Sequence, residues 1–290
     1  MRVESLAHFQ RVTAYQFYVK PADENYFLAR WALVHQFHRE FFWQALQSIE
    51  KYLKAGLLLN DCNAKGGHDI VALYKKHCKV FNGIAIQEFT KPAGLGNEYW
   101  DEGKVEKFIE RIEQFGSPNS RYGLVPFVRR QSDLFKLDQL VYSLRRLSVP
   151  LEWTIGEDWP VDEASKKHAG SKVRDALQAD PDFYPREPID LKPSPINLMG
   201  ENRLDALHAW NFSFSRHESD INRPLPNSVV PQSGPFENSY LYLFWEELNR
   251  TDRAPCGNVV LGMTWVLENV PIGKGAKELL KEKLDELAKN

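Results

Sequence analysis

From about His38 to Leu59 the apolar positions recur at spacings of three and four, with Ala45, Ile49, Tyr52, Leu53 and Gly56 on one stripe. That period predicts a helix that buries this stripe against a neighbour. Asn60-Asp61 and the polar, Gly-containing run 63–67 end it. Upstream, Pro21-Ala22-Asp23 followed by Glu24 reads as a helix start, with Asp23 accepting from first-turn amides and the helix running to about His35 or Gln36. Downstream, a helix begins at His68-Asp69 and carries Ile70, Val71, Leu73, Tyr74 and His77. Val105, Phe108, Ile109, Ile112 and Phe115 repeat with helical period and stop at Gly116, a natural C-terminal cap. Ser132 can cap a last helix striped by Leu137, Leu140, Val141, Leu144 and Leu147. The expectation is a mainly α chain, an antiparallel helical bundle over residues 14–150.

The pattern changes near Pro150. Leu151–Ile155 is expected to be a short strand, and the prolines between about 180 and 235 preclude continuous helix or sheet there. Helical signals return at 238–249, at 258–269 and at 275–289, where Leu279, Leu280, Leu284 and Leu287 form a narrow stripe. Residues 151–290 therefore read as an irregular, Pro-rich and partly helical C-terminal extension of the bundle.

Composition narrows the function classes. At 290 residues and 43% hydrophobic the chain can build one large or two modest cores. Its richest apolar run, Asn258–Val270, falls short of the roughly 18–20 residues a bilayer span requires. Met1–Lys20 is interrupted by Glu4, His8, Gln10 and Arg11, unlike a secretory leader, so a cytoplasmic protein away from membranes is expected. Cys62, Cys78 and Cys256 have neither metal-knuckle nor redox-motif spacing. The formal charge of −2 conceals a half with 21 Lys/Arg and 16 Asp/Glu, residues 1–150, and an acidic half after it. The first half can face a polyanion, and the second cannot.

Several runs resemble the HEPN (higher eukaryotes and prokaryotes nucleotide-binding) family. Ala22–Arg30 looks like that family's first helix. Phe42–Ala55 is similar to its most recognisable segment, in which a Gln and a Glu-Lys pair precede a Leu-Lys-Ala step. Gly67-His68-Asp69-Ile70 matches the start of the third helix, and Asn119-Ser120-Arg121-Tyr122 resembles the element before the last one. The resemblance covers about half the chain, in order. It implies a helical bundle that binds nucleotide or RNA, forms a homodimer and acts with a nucleotidyltransferase partner. At its helix start His68 reads as a capping or packing residue; the family's nucleotide binding instead suggests Lys54, His68 and Arg121 as an anion site, and no cofactor is expected.

Catalytic members of that family are metal-independent ribonucleases with an Arg and a His four to six residues apart. His moves the proton of the 2′-hydroxyl and Arg stabilises the phosphorane. Three such spacings occur here, Arg2/His8, Arg30/His35 and Arg203/His208, and there is no His between His77 and His168. An endoribonuclease using Arg203 and His208, or Arg30 and His35, is therefore the alternative, and a non-catalytic binding module is the preferred expectation. A third is an oligomerising scaffold that docks through the C-terminal helix. His35 and His38 lack a third metal ligand, and no glycine run has phosphate-loop spacing. Arg129/Arg130 and Arg145/Arg146 can meet phosphates or simply cap helix ends, while Phe41, Phe42 and Trp43 read as core or interface. Glu50 and Lys54 read as an exposed i,i+4 pair.

Overall fold

A computed structural model describes residues 5–62, 67–92, 95–118, 128–161, 165–181, 240–270 and 274–289, with Phe183, Pro185, Phe236 and Ile272. Among these the chain is mainly helical, and β pairing is limited to isolated bridges such as Thr154 with Lys172 and Ile155 with Trp159. The strand expected at Leu151–Ile155 is replaced by turns that these bridges hold. Most of the Pro-rich stretch of about 180–235 lies outside the described residues.

Helix α1 (Leu6–Ala14) starts at Ser5, whose side chain accepts from the His8 amide at 3.1 Å. The chain then passes through a wide π turn, Tyr15–Val19, into α2 (Lys20–Val34). Pro21 is thus inside a helical run and does not open one. Proline removes an amide and crowds the carbonyl four residues back, and the widened turn, closed by the Lys20 amide on the Tyr15 carbonyl, accommodates it. Asp23, expected as a cap, is fully buried instead.

Helix α3 (His38–Leu58) is the axis of the bundle, packed against α2, α4 (Ile70–Val80), α5 (Val105–Gly116) and α6 (Asp133–Arg146). The bond from Ser48 Oγ to the Ala22 carbonyl (3.0 Å) and that from Asn25 Nδ2 to Gln44 Oε1 (2.6 Å) set α2 and α3 antiparallel. The predicted stripe of α3 is buried, as are Ile70, Leu73, Tyr74 and His77 on α4 and Val105, Phe108, Ile109 and Ile112 on α5. Gly116 serves a close approach: a Cβ there would stand 2.5 Å from the Phe42 carbonyl oxygen. Ser132 occupies the cap position of α6, but its hydroxyl donates to Asp101.

Helix α6 is buried on nearly every side, so its charges must be matched internally. Arg145 donates from Nε to Asp23 at 2.8 Å, and Tyr52 donates to the same carboxylate. Seven residues away on both helices, the Arg30 guanidinium lies 3.4 Å from Asp138, which also accepts from Tyr26. Arg111 forks onto Asp133 at 2.5 and 2.6 Å. Exchanging any of these partners would leave a buried charge alone, so the first two pairs fix the register of α2 against α6 and the third ties α5 to α6.

Past the bundle, Leu151, Ile155, Trp159, Val173 and Leu177 gather with Phe81, Leu147 and Val149 into a second, smaller core that includes α7 (Val173–Ala179). Asn60 ties it to α3, donating to the Gly56 and Val149 carbonyls and accepting from the Leu151 amide. The C-terminal helices α8 (Tyr242–Leu248), α9 (Gly257–Asn269) and α10 (Lys274–Leu287) join the main core. Gly262 of α9 meets Phe9 of α1 so closely that a Cβ would lie 2.7 Å from the ring. None of the described helices is long and apolar enough to cross a membrane.

Candidate functional site

Helix α3 places Leu46, Glu50, Leu53 and Leu57 on one side, at spacings of four, three and four. Glu50 therefore lies inside the apolar sector and is 5% exposed, so its pair with Lys54 (2.6 Å) is a buried one and not the expected surface pair. His68, just before α4, closes the cluster, its Nδ1 standing 3.0 and 3.1 Å from the two Glu50 oxygens. The His68 side chain is 86% exposed, so a buried carboxylate holds one face of an outward-facing ring. Lys54 neutralises Glu50 rather than facing solvent, and this is what lets the carboxylate stay inside.

The start of α4 brings two more carboxylates to the same place. Asp69 accepts from the Ala72 amide at 2.7 Å as the helix cap, and Glu113 of α5 accepts from the Ile70 amide at 2.9 Å. Burial pushes the Glu113 carboxyl above its ordinary value; the Ile70 amide opposes this and the neighbouring Asp69 adds to it.

Between these groups and α3 lies an open groove of about 580 Å³. Trp43, Leu46 and Pro118 form its apolar wall, and Gln47, His68, Asp69, Glu113 and Ser117 its polar one. The volume suits a ligand of nucleoside size. The aromatic wall can take a flat ring, and the carboxylates can accept from amino or hydroxyl groups. Among the described residues the lining contains neither Lys nor Arg, so a phosphate would be placed outside that part of it.

Of the residues expected from the sequence, Lys54 and His68 are brought together through Glu50, and Arg121 lies outside the described residues. Arg203 and His208 also lie outside them. Arg30 is fully buried beside Asp138, whereas His35 ends α2 on the surface against Trp31, so this pair shares no solvent-facing site. Gln36, at φ 63°, separates His35 from His38, which begins α3. Arg145 is taken by Asp23, and Arg146 donates to the carbonyls of Leu177, Asp180 and Phe183, leaving neither for phosphate. Phe41 and Phe42 are core, and Trp43 is in the groove. Among the described residues no three His, Cys, Asp or Glu side chains converge as a metal-ligand set.

Sequence reasoning missed Glu50, Asp69 and Glu113 as site residues. The position of Glu50 between Leu46 and Leu53 was a readable signal; Glu113, polar by composition and brought in from α5, offered none. Comparison of the chain with family models, with curated proteins and with solved structures gives no match.

Proposed function

We propose that the chain is a HEPN-type, non-catalytic module that binds nucleotide or RNA, working as a homodimer beside a nucleotidyltransferase partner. The observation that carries this reading is the groove beside His68. It joins two of the resembling segments, Phe42–Ala55 and Gly67–Ile70, and combines an aromatic wall with rim carboxylates beside the buried Glu50–His68 pair. In this reading the base lies against Trp43, and Asp69 and Glu113 accept from its amino groups or from the ribose hydroxyls. The phosphates point away from the acidic rim. The enclosure of Arg30 and its separation from His35 support a binding role over a cleaving one.

A thermal-shift screen with the common mononucleotides and with short single-stranded RNA tests the proposal. Stabilisation by at least one of them is expected, growing with concentration as binding to the folded state requires. No shift with any of them overturns the reading, and metal-independent cleavage of labelled RNA abolished by His35→Ala would replace it with the ribonuclease one.

A further inference from the structure

The corner between α2 and α3 exposes aromatic surface that core packing does not require. The Gln36 amide bonds the Leu33 carbonyl (3.2 Å) and the Phe37 amide bonds the Ala32 carbonyl (2.8 Å), with Gln36 left-handed between the helices. This closing pattern folds the residue after the turn back onto the last helical turn. Phe37 accordingly lies against Trp31, with ring centroids 5.6 Å apart and planes 16° from parallel, and the His35 ring lies 4.4 Å from the same indole. The helix end is complete with one such contact, yet Trp31 and Phe37 remain 51% and 53% exposed.

Exposed charges flank this corner, two arginines and the carboxylate of Glu40. Arg39 follows Phe37 on the first turn of α3 and is exposed. Arg129, also exposed, is near enough to His38 to act on it electrostatically. Among the described residues neither arginine is held in an ion pair. The nearest carboxylate along α3, Glu40, accepts from the Gln44 amide at 3.5 Å. A ligand matched to both features has flat faces to stack and negative charge to neutralise, which is the chemistry of unpaired nucleotides.

We propose that the Trp31–Phe37 corner is a stacking surface for the bases of a single-stranded nucleic acid, with Arg39 and Arg129 drawing in its phosphates. The inference rests on the nucleotide-binding reading above and narrows it. Occupying both this corner and the Trp43 groove takes a strand rather than a mononucleotide.

Fluorescence anisotropy with labelled U20 RNA, read across a salt series, tests it. The double variant Trp31→Ala/Phe37→Ala should bind about tenfold or more weakly, with unchanged circular dichroism because both rings are half exposed. Trp31→Phe/Phe37→Tyr should stay within about twofold of the parent because every aromatic ring offers a stacking face. Arg39→Gln and Arg129→Gln should each lower the slope of log K against log salt by about 0.7. Unchanged U20 affinity in the alanine variant overturns the proposal, as does a dimer that the variant dissolves while U20 affinity persists. A parent that binds mononucleotides but not U20 removes this inference alone, and one that binds neither removes the nucleotide-binding reading with it.

Discussion

Replacing His77 with Leu should change how the stability of the protein depends on acid. His77 is fully enclosed, neither ring nitrogen has a hydrogen-bond partner among the described residues, and its ring stacks on Phe81 at 4.3 Å. Burial lowers its pKa to about 3, so it stays neutral in the folded chain, while in the unfolded chain it titrates near 6.5. Above pH 6.5 both states are neutral at this position and it contributes nothing. Below that the unfolded state gains a proton the folded state refuses, and stability falls by about 1.36 kcal/mol per pH unit. Between pH 7.5 and 5.0 the loss is roughly 2 kcal/mol. Asp138 runs the other way, since burial raises it to about 6 against the pull of Arg30. It therefore contributes stability below its unfolded value of 3.8 and loses it as pH rises through 6. Asp138 is common to both proteins and cancels in the comparison. His77→Leu should cost under about 1.5 kcal/mol at pH 7.5 as a volume-conserving change. Urea unfolding followed by circular dichroism at pH 7.5 and 5.0 should then show the parent losing about 2 kcal/mol relative to the variant. A difference that stays constant over that range would refute a neutral buried His77.

Three further expectations follow from the packing. Arg145→Met should destabilise by about 3–5 kcal/mol because it strands the Asp23 carboxylate, and adding Asp23→Asn should recover part of that in a double-mutant cycle. Gln36→Gly should stabilise by about 0.5–1 kcal/mol in the same urea titration, since the left-handed corner strains any residue with a Cβ. Gly262→Leu should cost at least about 1–3 kcal/mol and raise the protease sensitivity of the C-terminal helices, because α9 could no longer seat Phe9; unchanged sensitivity would argue against that docking.

The helices of the bundle were legible because each buries a stripe at helical period, and Ala45, Ile49, Leu53, Leu137, Leu140 and Leu144 all face inward as their spacing implied. The true start of the first helical run was not, since Pro21 ordinarily marks a boundary and only the wide turn Tyr15–Val19 removes its penalty. Asp23 carries a misleading local signature for a related reason. An acidic residue after a proline has the local signature of a cap, and its partner Arg145 is 122 residues away. Leu151–Ile155 is apolar enough for a strand, but with only single-residue bridges it has no strand to pair with among the described residues. The site was half legible. His68 and Lys54 are visible as chemistry-bearing types, whereas their common partner Glu50 has the i,i+4 spacing to a lysine that is typical of solvated helix faces.

In the proposed function the groove between Trp43 and His68 holds the nucleoside part of a ligand. Isothermal titration of the nucleotide that stabilises the protein most, against the parent and Trp43→Ala, tests it most directly. Saturable binding by the parent is expected, with affinity weaker by about tenfold in the variant, whose fold is otherwise intact. Equal affinity in the two proteins would contradict it.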